Sequence, residues 1–571
     1  MTISHIVVFS VLFLASHLVA RTSGSHVVKT TYLVVGGGTA GLAVATRLSE
    51  NTANTVIVLE AGSDGFNNPN IANITYSSIE ALPGSSVDWN YTSLPLKFAS
   101  NQIIAEPRGK VLGGTSAING GLFTRPNKID LDLWESAFDA TGWNWNTISA
   151  AMKKAEHFSP TAGLTSILSF HGTRGPIFDS QQAPVNNIWK KGVVPAVLEA
   201  GGSISIDQNG GDPSGIWYTP RTMFPNSTRR SYSANSYYRP NAARPNLQVM
   251  VNATVSRILW GKSKNGKAVA TGVEYINAAG EKLTVSGDRV ILSAGVFGTP
   301  QVLELSGVGN PHIINPLGIS TVVNLPAVGE NLSEQPTTIY LAAFAPGITD
   351  SGFQFPNNYE TPRTLLNSAE WITAYRLLQT APPGLSDDAH KALIAMFLSD
   401  SVIIEFMSFP SSDLTGLTFL PILLHPMSRG SSHIVSAHVT AKPTIDLALI
   451  QSPFDLYILT KAAQRARRFA AQPSLIPFLA GELLPGSAIK TDAQFSQFVK
   501  DSMGVAWQPL GTAAFGSVVD ANLRVKGTTN IFVVDGSIIP VQPGAYPSAI
   551  IYGIGEKAAA MLNASPLTDD A

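Results

Sequence analysis

The chain of 571 residues contains no cysteine. That absence excludes a disulfide framework, a thiolate zinc site, an iron–sulfur cluster and a cysteine nucleophile together. Charge is scarce as well. Asp, Glu, Lys and Arg make up 13% of the residues, about half the usual share of about 25%. The 38 basic and 39 acidic residues leave a formal net charge of −1, so no global field favours nucleic acid or an anionic membrane as partner. At 44% hydrophobic residues the chain is too apolar for the disordered class. Internal repeats and low-complexity segments are missing, which argues against a solenoid or a linker-joined array. The motifs H-E-x-x-H, P-loop and G-x-S-x-G are missing too, and with them the chemistries they mark.

Apolar runs are short. Ile6 to Ala20 falls below the roughly 20 residues a membrane span needs. It ends on Leu18-Val19-Ala20 and is followed by polar Arg21-Thr22-Ser23-Gly24. This is the pattern of a secretory signal peptide over residues 1–20, although the basic n-region is missing. The sequons at Asn73, Asn90, Asn226, Asn252, Asn331 and Asn563 accord with a secreted glycoprotein. Without disulfides, such a protein must draw its stability from a large core, glycans or a bound cofactor.

What is present is a nucleotide-binding start. Thr31-Tyr32-Leu33-Val34-Val35 reads as a buried parallel strand and runs into Gly36-Gly37-Gly38-Thr39-Ala40-Gly41. A helical stretch from Leu42 to Leu48 follows, then a second strand, Thr55 to Leu59, ending in Glu60 and Ala61. This is G-x-G-x-x-G in its strand–turn–helix–strand setting, with an acid about 20 residues on. Gly36 permits the tight turn, Gly38 lets backbone approach a pyrophosphate, and Gly41 allows close helix–sheet packing. The helix N-terminus offers its free N–H groups to the phosphates. Glu60 suits the ribose hydroxyls of an adenosine and would repel a 2′-phosphate, which disfavours NADP. The motif does not separate FAD from NAD.

A second glycine segment, Arg108-Gly109-Lys110-Val111-Leu112-Gly113-Gly114-Thr115-Ser116-Ala117-Ile118-Asn119-Gly120-Gly121-Leu122, is expected to bring backbone and hydroxyl donors close to a ligand. It resembles the first signature of the glucose–methanol–choline (GMC) family of FAD oxidoreductases. Ser293-Ala294-Gly295-Val296-Phe297-Gly298-Thr299-Pro300-Gln301 resembles the second, and Val534-Asp535-Gly536-Ser537 the element beside the flavin.

The resemblance spans almost the whole chain from about Thr31. It implies a mixed α/β fold with a Rossmann-like FAD-binding domain and a substrate domain built on an antiparallel sheet that roofs the isoalloxazine. The FAD-binding domain is expected over residues 28–110, 225–330 and 500–571, and the substrate domain with the flavin-covering segments over 111–224 and 331–499. Pro382-Pro383-Gly384 with Asp387-Asp388 is expected to form a loop in that roof. The cofactor contacts implied are Gly36, Gly38, Thr39, Ala40, Gly41, Glu60, Ala61, Arg108, Gly109, Gly113, Gly114, Thr115, Asn119, Gly120, Gly121, Leu122, Val255, Asp535 and Gly536. Asn331 falls in a family-like stretch near the cofactor, which makes it the sequon least suited to carry a glycan.

The chain departs from the family at its chemistry. Where the family places a catalytic histidine, the sequence reads Trp507-Gln508-Pro509-Leu510-Gly511-Thr512, and the histidine or asparagine partner position falls on Tyr546. Glutamine takes up no proton at physiological pH, and tyrosine, with a pKa of about 10, would need a strong downward shift to act as a base. His425, His433 and His438 lie upstream and are read as structural or surface residues. Two functions follow. One is oxidation of an alcohol CH–OH group, with Gln508 and Tyr546 orienting the substrate while another group or water takes the proton. The other is a non-redox cyclisation or dehydration of a polyketide-like intermediate in secondary metabolism, with FAD retained structurally, as in versicolorin B synthase, which the chain resembles at the level of fold.

Overall fold

The computed structural model describes residues 29–161, 163–181, 188–348, 356–411 and 413–565. The expected signal peptide, residues 1–20, lies outside them. No helix among the described residues is long and apolar enough to cross a membrane.

The fold grows from the first strand, Thr30–Val35. Leu33, Val34 and Val35 are buried, as a strand in the middle of a parallel sheet requires. It lies between Asn54–Leu59 and Arg289–Leu292, with Val34 opposite both Val58 and Ile291. Ile531–Val533 and Leu247–Met250 add the two edges, giving a five-stranded, all-parallel sheet. Three distant parts of the chain therefore meet in one sheet.

Two helices cover one face of it. Thr39–Leu48 follows the glycine turn, and Ser548–Ala564 packs along it. Small residues let them approach: a Cβ on Gly555 would stand 2.9 Å from Cβ of Ala43. Next to Gly555, Glu556 collects Arg47 Nε at 2.8 Å, Lys154 Nζ at 2.9 Å and the Tyr237 hydroxyl at 2.8 Å. A three-stranded antiparallel sheet packs its strand Ala270–Ile276 against Arg289–Leu292.

The second large layer is an antiparallel sheet assembled from Gly215–Tyr218, Pro356–Glu360, Ile404–Pro410, Gly416–Leu423, Tyr340–Phe344 and Leu479–Leu484, in that spatial order. Side chains alternate across it. On strand 404–410, Phe406 turns toward helix Pro453–Ala470 and meets Phe469 edge-on at 5.0 Å. Arg465 of that helix grips the buried Glu360 through Nε at 3.0 Å and Nη2 at 2.9 Å. Met407 and Phe409 face the opposite way, into the interior cavity.

One expectation is corrected. Asp387 and Asp388 belong to no loop: they open helix Asp387–Leu398, whose N-terminus is capped by Ser386 accepting from Ala389 N–H. Acids in a first turn complement the helix dipole, so their pairing has a structural cause.

Beside the antiparallel sheet lies a buried ionic cluster. His171 bonds Glu156 through Nδ1 at 2.8 Å and Asp207 through Nε2 at 2.9 Å, and Arg125 pairs with Glu156. Oxygens of Glu156 and Asp179 and a nitrogen of His171 lie within 4.8 Å of one another, a spacing that could hold a metal ion. Both ring nitrogens are already engaged, however. Burial, then the charge of Glu156, holds Asp179 well above the usual carboxylate range. Two cations thus face two anions, and the cluster is compensated as it stands.

Candidate functional site

A single cavity of about 830 Å³ runs from the glycine turn to the antiparallel sheet. Its volume lies within the range of small-molecule and cofactor sites. Gly36, with φ +99°, makes the turn, and a Cβ there would stand 2.4 Å from the Ser293 carbonyl oxygen. The helix that follows has Gly38 at its N-cap, no capping side chain and no acid in its first turn. Its unpaired N–H groups are left for an anion, as a pyrophosphate site requires. Thr39 and Ala40 line the cavity there.

Glu60 closes the strand beside it. Its Oε2 accepts from Gly37 N–H at 2.9 Å and its Oε1 from Gly62 N–H at 2.8 Å. Burial outweighs these bonds and pushes the carboxyl up to about 7. Each oxygen keeps a lone pair for a further donor, and Glu60 and Ala61 both face the cavity. The uncapped helix end, this carboxyl and the elongated cavity together fit the pyrophosphate, ribose and ring system of FAD.

The second glycine segment works differently from expectation. Gly113 does not reach the cavity. Its N–H donates to the Gly37 carbonyl at 2.7 Å, and its own carbonyl accepts from Ser116 Oγ at 2.6 Å. A Cβ on Gly114 would lie 2.7 Å from Gly38 Cα. The pair is therefore a backbone-to-backbone dock that clamps the two glycine turns together, and of the two only Gly114 lines the cavity. Gly41 is likewise absent from the wall. A Cβ there would meet the Gly36 carbonyl oxygen at 2.1 Å, so its role is packing alone.

Arg108, Gly109, Thr115, Asn119, Gly120, Gly121, Leu122 and Val255 all line the cavity. So do Asp535 and Gly536, but the Asp535 carboxylate is spent on protein. Oδ2 accepts from Gly295 N–H at 2.9 Å and Thr299 Oγ1 at 2.6 Å, while Oδ1 accepts from Ser537 N–H at 2.9 Å. Asp535 thereby ties the C-terminal segment to the start of helix Gly295–Leu305.

Gln508 and Tyr546 both face the same cavity, under Met407, Phe409, Leu420 and Val505. The Gln508 backbone is pinned: its N–H donates to Glu334 Oε1 at 2.9 Å, and its carbonyl accepts from Gln542 Nε2 at 2.8 Å. Its side-chain Oε1 is buried with no hydrogen-bond partner. Such an atom is costly to leave unmatched, and a bound hydroxyl would match it. Trp507, one residue before, holds φ +56°, a conformation that costs a bulky residue about 1–2 kcal/mol. Strain of that kind persists where the surroundings fix a functional geometry.

Tyr546 donates from Oη to Glu405 Oε1 at 2.7 Å. Burial, then the Glu405 charge, drives the phenol well above its ordinary value, the opposite of the downward shift a tyrosine base would need. The buried Arg221 guanidinium shares this wall and donates to the Gly120 carbonyl at 2.6 Å. His425, His433 and His438 do not line the cavity. His425 bonds Asp130 at 3.2 Å, His433 sits between Glu304 and Glu330, and His438 is exposed.

Sequence reasoning missed Glu405, Arg221 and the apolar roof. The available signal for Glu405 was an acid inside an otherwise apolar strand, Ile404-Glu405-Phe406-Met407.

Two family models, both described as GMC oxidoreductase, match residues 30–337 and 426–555. The GMC oxidoreductase family protein Mala s 12 of Malassezia sympodialis is 32% identical, over 92% of this chain and 91% of its own length. The glucose oxidase-like protein fsoC of Humicola fuscoatra is 33% identical over 97% of this chain and 98% of its own. Among solved structures, an FAD-dependent oxidoreductase from Chaetomium thermophilum superposes with a TM-score of 0.86 at 24% identity, covering 94% of this chain and 99% of that one. With most of its length matched by these models and relatives, this chain belongs to the GMC oxidoreductase family and takes FAD as its cofactor.

Proposed function

We propose that the protein is a secreted alcohol oxidoreductase acting on the CH–OH group of a small, largely apolar substrate. The observation that carries this reading is the convergence of Gln508 and Tyr546 under a roof of Met407, Phe409, Leu420 and Val505. A sugar site of the kind suggested by a glucose oxidase-like relative would need several polar groups for its hydroxyls, because buried polar atoms must be matched. This roof offers thioether, phenyl and alkyl surface instead. Bound FAD supplies a two-electron acceptor for the carbinol hydride.

The chain's own residues do the rest. Gln508 Oε1, lacking a partner, accepts a hydrogen bond from the substrate hydroxyl and fixes its orientation. Tyr546 points its proton at Glu405 and so presents lone pairs to the cavity. The apolar roof keeps water from the carbinol carbon. Secretion is supported by the run Ile6 to Ala20 and by exposed sequons at Asn90, Asn226, Asn252 and Asn563.

A second reading, non-redox cyclisation or dehydration, is favoured by the absence of histidine at both 508 and 546. The two separate in one experiment. Purified protein is mixed anaerobically with a panel of primary alcohols, benzyl alcohol among them, and the flavin absorbance is followed. Bleaching by an apolar alcohol supports the first reading. An unbleached flavin with product formed from a cyclisable polyketide-like substrate replaces it with the second.

A further inference from the structure

The site lacks the family's base, yet removing a hydride from an alcohol also requires removing the hydroxyl proton. Gln508 cannot accept it. Behind Gln508 lie the buried acids Glu334 and Glu106, but Glu334 Oε1 is committed to the backbone N–H groups of Gln335 and Gln508 at 2.8 and 2.9 Å. Neither acid lines the cavity.

The Tyr546 side is built differently. A phenol hydroxyl can give one proton and receive another at the same oxygen. Its partner Glu405 is 1% exposed. Glu405 sits on strand Ile404–Pro410 on the same face as Met407 and Phe409, which line the cavity. Across the strand pair it stands opposite Tyr359, whose hydroxyl lies against the same carboxyl. On the neighbouring strand it faces Ile422. Arg221 is the cation that acts on Tyr546 from the cavity wall.

We infer that Glu405 is the proton-holding residue of the site, reached from the cavity through the Tyr546 hydroxyl. This rests on the reading of the site as one that deprotonates an alcohol. Glu405 touches no substrate and acts through Tyr546. The substrate hydroxyl turns its one proton from Gln508 Oε1 to Tyr546 Oη, the O–H bond breaks as that proton bonds to Oη, and the Tyr546 proton passes to Glu405 Oε1. The balance is ROH + Glu405 carboxylate → alkoxide + Glu405 carboxylic acid, with Tyr546 unchanged. The electrons leave separately, with the carbinol hydride. After product departs and water enters, the proton returns by the same two oxygens.

Burial, opposed by the hydrogen bond from Tyr546 and by the nearby Tyr359 hydroxyl, lifts Glu405 to about 8. The relay needs the carboxylate, so flavin reduction by benzyl alcohol should rise with pH through about 8. Glu405→Gln should retain FAD, lose that rise, and slow reduction by about 10²–10⁴-fold. Tyr546→Phe should do the same, and Glu405→Asp should restore part of the rate together with the pH dependence. A Glu405→Gln enzyme with wild-type rate and pH profile overturns the inference.

An infrared pH titration of the holoenzyme tests Glu405 without turnover. A buried carboxylic C=O band should titrate near pH 8, vanish in Glu405→Gln and shift in Tyr546→Phe as its hydrogen bond is lost. If no alcohol bleaches the flavin but this band behaves as stated, the oxidation reading fails and the proton path stands. If the band is absent from wild type, or Tyr546→Phe leaves it unmoved, the proton path fails whatever the substrate proves to be.

Discussion

Replacing His171 with glutamine gives a stability change whose size and pH dependence follow from the buried cluster. The His171 side chain is 0% exposed and lies between Glu156 and Asp207. Burial alone would lower its pKa, but the bonds to Asp207 and Glu156 win and lift it from 6.5 to about 9. A raised value means that the folded state holds the proton more tightly. The stabilisation is therefore fully present below about 6.5 and is lost as pH rises through about 9. At 1.36 kcal/mol per unit, the shift corresponds to about 3 kcal/mol. For a chain this long, unfolding entropy of about 1 kcal/mol/K makes that about 3 °C in Tm. Differential scanning calorimetry of wild type and His171→Gln between pH 6 and pH 10 should show a gap that narrows by about that amount. His433, also raised to about 9 by Glu304 and Glu330 against the effect of burial, is present in both proteins and cancels. A gap constant across the range would refute the charged-histidine account. So would a gap that widens toward alkaline pH.

Gly114→Ala should yield colourless or FAD-depleted protein, because its Cβ would enter the space of Gly38 Cα, and absorbance of the purified protein checks it. Asn331 should carry no glycan, since its Nδ2 donates to the Gly511 and Pro540 carbonyls at 3.3 and 3.0 Å and its Oδ1 accepts from Arg429. Peptide mapping of secreted protein should instead find glycans at Asn90, Asn226 or Asn252. Gln508→His should raise flavin reduction by benzyl alcohol, by up to about 10²-fold where the imidazole reaches the hydroxyl, and stopped-flow bleaching reads it directly. An unchanged or lower rate would mean that the backbone pinned by Glu334 and Gln542 does not aim the side chain at the substrate.

The nucleotide-binding end was legible because its signals are local. Gly36, Gly38, Gly41 and Glu60 lie within one strand–turn–helix–strand unit, where spacing alone fixes their relation. The second glycine pair shows the limit of such reading. Gly113 and Gly114 looked like residues that approach a ligand, whereas Gly113 approaches another turn, a contact between segments far apart in sequence. The roof was less legible still. Its strands come from separated stretches, and nothing near Glu405 in the chain announces Tyr546, which lies 141 positions away. That glutamine stands at 508 and tyrosine at 546 could be read from sequence. The carboxyl that stands behind Tyr546 could be seen only once the sheet had brought the two together.

The parallel sheet orders events during synthesis. Strand Thr30–Val35 is made first, yet its sheet is closed by Ile531–Val533, near the last of the described chain. The helix that braces the glycine turn, Ser548–Ala564, emerges later still. Contacts so remote along the chain form slowly and expose apolar surface while they wait. The dinucleotide cradle thus begins at one terminus and is finished by the other, and cofactor can stabilise only a nearly complete chain. A nascent polypeptide stalled or cut before Ile531 would keep its glycine fingerprint intact and still be unable to hold FAD.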